Sequence, residues 1–281
     1  MGDNRISYNQ SPDTNTLYEV FKGQALKYIT DMAGANLKSL FMFDATGSTT
    51  TLADKAPYAG GPAHTATLRA SVGGSAVAAS TLSPVVRGVL PTLSFNGTTV
   101  WDVPSSGDFS FGNGSGTDIA VSVVCLFNLA SYSTQPLLVG KINGTGNMRE
   151  WMLFVVSNGT LSTSFYGYDS QSNQIGRTSS AAIVAGTWQT AVLTYDGSKT
   201  SAGIKIYVNG VRIDNADHNN GSYVGITSGT ALYGSYLGSG ASGSEQFTGQ
   251  MALASLMDVA LTASQVAALD AQLRSLVGTL L

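Results

Sequence analysis

The sequence is poor in charged residues. Asp, Glu, Lys and Arg make up 11% of its 281 residues, whereas they make up roughly a quarter of an average soluble protein. The 14 basic residues form no cluster and the net charge is -3, so the chain lacks the concentrated positive charge that binds phosphates. We therefore expect no nucleic-acid partner. Ser, Thr, Asn, Gln and Gly must cover the surface instead, as is typical of extracellular and virion proteins.

Cysteine and long apolar runs are also lacking. Cys125 is the only cysteine and lies in an apolar stretch, which favours a small buried side chain over a reactive thiol. A secreted eukaryotic adhesion module would often carry a disulfide, so we expect folding in bacterial cytoplasm. As it stands, the N-terminus has no apolar core of a signal peptide. No run approaches the roughly 18 apolar residues that span a bilayer, and we expect no membrane insertion.

Groups that would support catalysis are scarce. The two histidines, His64 and His218, lie in polar segments. The carboxylates are isolated, whereas a glycosidase needs two that face each other across the scissile bond. No serine in a Gly-x-Ser-x-Gly context is followed by suitable partners. We therefore predict that the chain is not an enzyme and name no catalytic residue, with a hydrolase as the weaker alternative.

A β-hairpin is the strongest local pattern in the chain. It reads Trp188-Gln-Thr-Ala-Val-Leu-Thr-Tyr-Asp-Gly197, a polar loop, and Gly203-Ile-Lys-Ile-Tyr-Val-Asn-Gly-Val211. Apolar side chains recur with period two, as on strands packed mainly on one face. Asp-Gly and Asn-Gly are strong turn signals because both central positions of a type I′ turn need a positive φ. The pattern therefore predicts two antiparallel strands.

Shorter strands are predicted on both sides of this hairpin. Residues 93–103 indicate a second hairpin around an Asn-Gly pair, and residues 136–141, 150–156 and 161–168 indicate a meander of three strands. Residues 215–221 are interpreted as a polar loop tip. Short strands separated by regular turn signals are typical of a β-sandwich.

Several motifs around the hairpin carry a family resemblance. They are Leu40-Phe-Met-Phe-Asp44, Leu93-Ser-Phe-Asn-Gly97, Phe109-Ser-Phe111, Tyr236-Leu-Gly238, Phe247-Thr-Gly249 and Ala260-Leu-Thr262. In this order, and over residues 38–272, they resemble the laminin-G-like, concanavalin A-like jelly-roll family. The resemblance implies an all-β, two-sheet antiparallel jelly-roll sandwich with a short C-terminal helix, and the residues before it predict an N-terminal helical arm. This fold hosts lectins, glycosidases, adhesion modules and virion proteins, so it does not fix the function.

The resemblance bears on catalysis and on metal binding. The glucanase branch carries a Glu-x-Asp-x-x-Glu strand, which this sequence lacks. Many laminin-G-like relatives bind calcium at the sandwich rim, and by resemblance Asp44, Asp54 and Asn96 match the ligand positions. The family's closing strand often carries two acidic residues, and here Ala252 and Leu253 stand in their place. Calcium, which needs six to eight oxygens, is therefore one interpretation, and turn capping by the same three residues is the other.

Helices are predicted at both ends of the chain. Residues 1–37 form a predicted N-terminal arm and amphipathic helix, and residues 38–281 the predicted sandwich domain with its C-terminal helix. The C-terminal helix opens on the capping box Thr262-Ala-Ser-Gln265. One interpretation packs the N-terminal helix on the sandwich. The other docks the arm on a neighbouring subunit through Tyr8, Leu17, Phe21, Tyr28 and Met32.

Two functional hypotheses follow. The leading one is a non-enzymatic structural virion protein, such as a bacteriophage capsid decoration protein, made in the host cytoplasm and located on the virion surface. Its partners would be capsid or other virion proteins, further copies of itself and host-surface glycans. The alternative is a carbohydrate-binding or adhesion module of a tail fibre or cell surface. A sugar would stack on Tyr166 and Tyr168 beside residues 169–173, or on Tyr223 and Tyr233.

Overall fold

The structure is a computed structural model that describes residues 14–43, 48–71, 74–78, 93–132, 135–142, 149–167, 173–227, 234–237 and 245–278. Its helices are α1 (Thr14–Ala33) and α2 (Ala263–Gly278). Its strands are β1 (Leu37–Met42), β2 (Thr51–Ala53), β3 (Thr65–Arg69), β4 (Leu93–Asn96), β5 (Val100–Val103), β6 (Val121–Leu129), β7 (Leu137–Ile142), β8 (Arg149–Val155), β9 (Thr160–Tyr166), β10 (Gln174–Ala182), β11 (Trp188–Tyr195), β12 (Ile204–Val208), β13 (Val211–Arg212), β14 (Asp214–Asp217), β15 (Gly234–Leu237) and β16 (Thr248–Met257). No helix in these ranges has the length and apolarity to cross a membrane.

The strands form two antiparallel sheets. The seven-stranded sheet has the order β1-β16-β6-β11-β12-β13, with β4 also paired to β16. The nine-stranded sheet has the order β14-β10-β9-β8-β7-β15-β5-β3-β2. This two-sheet sandwich with a helix near each end confirms the predicted fold class.

Three layers share two main cores. Side chains such as Phe127, Trp151 and Leu193 fill the space between the sheets. The second face of the seven-stranded sheet packs, through Val124 and Val192, against the two helices. Because β6 is buried on both faces, its sequence is a nearly continuous apolar run, and burial raises the pKa of the Cys125 thiol to about 12.

The predicted central hairpin is confirmed, with one difference. β11 pairs with β12 over five residue pairs, from Ala191 and Val208 to Tyr195 and Ile204. Asn209 and Gly210 both have a positive φ, as a type I′ turn requires. Gly197 has a positive φ but Asp196 does not, and the connection from β11 to β12 runs through a short 3-10 turn at Ser201–Gly203.

The hairpin predicted over residues 93–103 is wrong. β4 pairs with β16 in the seven-stranded sheet, whereas β5 pairs with β3 and β15 in the nine-stranded sheet. The chain changes sheet at Asn96 and Gly97, where the Asn96 side chain holds the turn and Gly97 has a φ of 85°. The turn at Asn96 and Gly97 was predicted correctly, but the partners of β4 and β5 are strands that lie far away in the sequence.

Both helices cover the seven-stranded sheet. α1 buries Ala25, Ile29 and Ala33, and the C-terminal helix buries Val266 and Leu269 in the same core. The capping box of α2 is confirmed. The backbone N–H of Gln265 donates to the Thr262 hydroxyl at 3.3 Å, and the backbone N–H of Thr262 donates to Gln265 Oε1 at 2.9 Å. The helices are therefore a lid on the sandwich.

Candidate functional site

The described members of the predicted calcium set have other partners. Asp54 Oδ1 accepts the backbone N–H groups of Leu40 and Ala56 at 2.7 and 2.8 Å. Asn96 Oδ1 accepts the backbone N–H groups of Thr98 and Thr99 at 3.0 and 3.1 Å.

These two oxygens therefore cap turns, and Asp44 lies outside the described residues. Within the described ranges no group of three or more His, Cys, Asp or Glu side chains could hold a metal ion. Because Asp44 is not described, the calcium set stays a prediction.

Asp54 instead belongs to a polar network that is buried at Asp54 and reaches the surface at Asp108. His64 Nδ1 lies 2.9 Å from Asp54 Oδ2, and His64 Nε2 lies 3.1 Å from Asp108 Oδ2. The imidazole packs against Phe109, with 4.4 Å between ring centroids. Two carboxylates on one ring favour the imidazolium form: although burial lowers the pKa of His64, these hydrogen bonds and charges raise it above the ordinary value overall.

The network continues into a fully buried ion pair. Lys141 Nζ lies 3.0 Å from Glu150 Oε1, and both side chains have no exposed surface. Lys141 Nζ also donates to the Ser106 carbonyl at 3.1 Å, and the Ser106 hydroxyl donates to Asp108 Oδ2 at 2.9 Å. These contacts fix the loop after β5, and the buried pair is closed to solvent.

Tyr166 does not offer a ring to solvent. Its side chain is 3% exposed, and its hydroxyl donates to Met152 Sδ at 3.3 Å. Tyr168, residues 169–172 and Tyr233 lie outside the described residues, so the predicted site on Tyr166 and Tyr168 stays a prediction.

The second predicted tyrosine, Tyr223, lies beside the β9–β10 turn. A Cβ added to Gly167 would be 3.3 Å from Tyr223 Cδ2, and the Ser222 amide donates to Asn173 Oδ1 at 3.0 Å. The described residues Gly167 and Asn173 of the first predicted sugar site thus lie beside Tyr223 of the second.

One carboxylate anchors this end of the sandwich. Asp118 Oδ2 accepts the hydroxyls of Tyr195 and Tyr223 at 2.6 and 2.7 Å, and Asp118 Oδ1 accepts the Ile226 amide at 2.6 Å. Burial and the Asp118 charge raise the pKa of both tyrosines. Both therefore remain donors at every physiological pH, and three separate chain segments are held in one arrangement.

Exposed aliphatic side chains flank this anchor. Val224 is 60% exposed and Ile119 is 42% exposed. The chain on either side of these two residues also carries exposed hydroxyl and amide side chains, among them Ser115, Thr117, Asn220 and Ser222, and Asn173 accepts the Ser222 amide. We call Asp118, Ile119, Tyr195, Tyr223 and Val224 the rim site. It combines the apolar surface of Ile119 and Val224 with a backbone fixed by the Asp118 carboxylate and two tyrosine hydroxyls.

Sequence reasoning found only part of this site. Tyr223 was named for its aromatic ring, but Asp118, Ile119 and Val224 were missed. The signal that could have found Asp118 is its position directly before a buried strand, where a carboxylate often binds backbone amides.

The predicted docking residues divide into two groups. Tyr28 and Met32 are half-buried and pack against the core under α1. Tyr8 and the side chains of Leu17 and Phe21 lie outside the described part of the chain. The docking prediction therefore stays a prediction, and its described members make contacts within the molecule.

Nearly the whole length of one solved carbohydrate-binding domain resembles this structure. It is domain 4 of AbnA, an extracellular arabinanase from Geobacillus stearothermophilus, in complex with arabinotriose. The TM-score is 0.53 at 18% identity, with 84% of this chain and 99% of that chain covered.

Toxin binding domains also resemble the chain. The binding domain of botulinum neurotoxin DC in complex with SialylT has a TM-score of 0.53 at 11% identity, covering 85% of this chain and 51% of that chain. The binding domain of Paraclostridial Mosquitocidal Protein 1 has a TM-score of 0.53 at 14% identity, covering 86% and 52%. The chain thus spans about half the length of these toxin chains, and such low identities establish the fold alone.

The family follows from the sequence. Comparison with curated proteins found no match. A model described as the concanavalin A-like lectin/glucanases superfamily matches residues 105–267, more than half of the chain. This range contains the hairpin and the whole rim site. The chain belongs to the concanavalin A-like lectin/glucanases superfamily.

Proposed function

We propose that this protein is a non-enzymatic glycan-binding module and that the rim site holds the sugar. The observation that carries the proposal is the Asp118 anchor. Its three short hydrogen bonds fix the segments that present Val224 and Ile119 among neutral polar groups. This is the alternative of the two sequence-based hypotheses.

A sugar needs both kinds of surface that the rim offers. Its C–H faces pack on apolar side chains, while its hydroxyls exchange hydrogen bonds with amides and hydroxyls. A weakly bound ligand gains most when the site is already ordered, because ordering loops on binding lowers the affinity. The anchored loops of the rim site meet this requirement.

The comparisons support the same proposal. The AbnA domain, which matches 84% of this chain, is a complex with arabinotriose, and the toxin domains are described as binding domains. Known structures of this architecture thus include saccharide complexes, and the rim site supplies the chemistry for one here.

Binding without catalysis agrees with the carboxylate partners. Glu150 lies against Lys141, Glu245 against Arg149, and Asp214 against Arg177, each within 3.0 Å. Carboxylates held by cations are poor proton donors. The proposal therefore assigns them to stability.

A virion role stays a prediction from the sequence. The described half of α1 packs on the sandwich instead of presenting an unpartnered apolar stripe. The comparisons favour the glycan-binding alternative over capsid decoration.

We propose that the protein lies at an extracellular or particle surface, where it would meet glycans. The division into an N-terminal arm and helix over residues 1–37 and a sandwich domain over residues 38–281 stays a proposal.

Two exposed valines provide the test. Val224 in the rim site is 60% exposed, and Val211 on β13 is 63% exposed. The wild-type chain and the variants Val224→Glu and Val211→Glu are applied to an array of oligosaccharides. We expect Val224→Glu to lower affinity by at least tenfold, equivalent to about 1.4 kcal/mol, and Val211→Glu to bind like the wild type. An array blank for the wild type, or equal binding by both variants, would overturn the proposal.

A further inference from the structure

Lys199, beside the rim site, has an unusual backbone. Its φ is 60°, and only Gln135 and Asn209 share a positive φ among the described residues other than glycine. Asn209 belongs to the Asn-Gly turn, where such a φ is expected, whereas Lys199 is followed by Thr. A non-glycine residue in this region carries strain that its surroundings must maintain, and such residues cluster at functional sites.

The rim anchor maintains this conformation. The Lys199 backbone amide donates to the Tyr195 hydroxyl at 2.7 Å, and that hydroxyl donates to Asp118 at 2.6 Å. Lys199 is therefore joined, through the Tyr195 hydroxyl, to the Asp118 carboxylate that orders the rim site.

The Lys199 ammonium has no carboxylate partner within the described ranges. Nζ donates to the Gly116 carbonyl at 2.8 Å, which uses one of its three N–H bonds. By contrast, the described arginines all lie in ion pairs, namely Arg69, Arg149, Arg177, Arg212 and Arg274. Lys199 thus holds a positive charge with two unused donors at the surface.

Close backbone contacts join the Lys199 loop to the segments of the rim site. Cβ atoms added to Gly116 and Gly197 would lie 3.4 Å from the Val224 carbonyl and 3.3 Å from the Ile119 carbonyl carbon. The Gly116 carbonyl that holds the ammonium therefore belongs to a residue packed on the backbone of Val224, and the Lys199 loop packs on the backbone of Ile119.

The two carboxylates nearby have their own donors. Asp118 accepts the three hydrogen bonds described above. Asp196 Oδ1 accepts the Ser198 amide at 2.9 Å, and although burial raises the pKa of Asp196, hydrogen bonds from Ser198 lower it below the ordinary value overall. Neither Asp118 nor Asp196 forms a salt bridge with the Lys199 ammonium.

We propose that the rim site takes a carboxylate-bearing sugar, a sialic or uronic acid, whose carboxylate binds the Lys199 ammonium. The apolar part of the sugar packs on Val224 and Ile119, and its hydroxyls bind the surrounding amides and hydroxyls. The inference rests on the proposed function and specifies its ligand class. Attraction between an ammonium and a carboxylate at an exposed site weakens as salt screens it.

The test compares acidic glycans with their neutral counterparts. Sialyllactose is compared with lactose, and oligogalacturonate with a neutral oligogalactoside, by titration at low and high salt. The wild type should prefer at least one acidic glycan by about tenfold, as expected for a charge-assisted hydrogen bond, and the preference should shrink at high salt. The two acidic arms distinguish sialic from uronic acids.

Lys199→Gln should reduce the ratio of acidic to neutral affinity about tenfold. Lys205→Gln is the matched control, because Lys205 lies on the same hairpin and donates to the Ala202 carbonyl; it should keep the wild-type ratio. Lys199→Gly relieves the positive φ and so should fold at least as stably, yet lose the preference.

Equal affinity of the wild type for acidic and neutral glycans would overturn the inference and leave glycan binding intact. A full preference in both Lys199 variants would overturn it as well. A wild type that binds no glycan of any class would overturn the proposed function together with this inference.

Discussion

His64 and His218 respond to pH in opposite directions. Although burial lowers the pKa of His64, hydrogen bonds to Asp54 and Asp108 raise it above 6.5 overall. Its contribution to stability is therefore complete below pH 6.5 and is lost as the pH rises through the folded-state pKa. Burial lowers the pKa of His218, which lies 3.0 Å from the Ser164 hydroxyl. Its contribution is complete above 6.5 and is lost as the pH falls through the folded-state pKa.

We predict that His64 accounts for the loss of unfolding free energy at high pH and His218 for the loss below pH 6.5. The free energy of unfolding is measured by urea titration from about pH 5 to about pH 9. His64→Gln should flatten the decline on the alkaline side, and His218→Gln should flatten the decline just below pH 6.5. If His64→Gln leaves the alkaline decline unchanged, the imidazolium assignment is wrong.

The buried pair Lys141 and Glu150 predicts an asymmetric mutational effect. Glu150→Gln leaves a fully buried ammonium without its counter-charge, which should cost about 3–5 kcal/mol of unfolding free energy. Lys141→Met combined with Glu150→Met removes both charges and should cost much less than the single variant. If denaturant titrations gave the same loss of unfolding free energy for Glu150→Gln and for the double variant, the two charges would not form the described pair.

At the scale of elements, α2 is held by one buried carboxylate. Asp270 is 1% exposed, accepts the Thr190 hydroxyl of β11 at 2.5 Å and pairs with Arg274. The helix is therefore attached to the middle of the seven-stranded sheet by polar contacts as well as by Val266 and Leu269.

We predict that Asp270→Ala destabilises the fold by about 1.5–3 kcal/mol, because it removes a charge-assisted hydrogen bond from a dry interface. Thr262→Ala, which removes only the cap of the same helix, should cost about 1 kcal/mol. Thermal unfolding of both variants tests the order. A smaller loss for Asp270→Ala than for Thr262→Ala would contradict the proposed attachment.

The elements differ in how far the sequence predicts them. β11 and β12 follow each other in the chain, carry apolar residues with period two and are separated by a short polar loop, so their pairing can be predicted from local sequence. β10 was missed because its outer face carries Gly176 and Thr178 instead of apolar residues. The sheet change after Asn96 was missed because a turn signal does not specify which strand each arm joins.

The rim site was beyond sequence reasoning for a related reason. Asp118, Tyr195 and Tyr223 are distant in the chain and meet only after the sandwich closes. Their hydroxyl and carboxylate groups carry no periodic pattern. The positive φ of Lys199 likewise has no sequence signal, since lysine rarely adopts it.

The whole molecule combines a rigid scaffold with a polar, charge-poor surface. Two sheets and a helical lid bury one core between the sheets and another under the helices. Loops at one end can then be ordered by a single anchor without affecting either core. This division between scaffold and rim is what a binding module needs.

A crystal structure of the whole protein with the oligosaccharide that binds most tightly tests the central claim most directly. Our account predicts the sugar at the rim site, in contact with Val224 and with its carboxylate, if acidic, on Lys199. A sugar bound elsewhere, such as over Ser164 and His218 on the outer face of the nine-stranded sheet, would contradict the account.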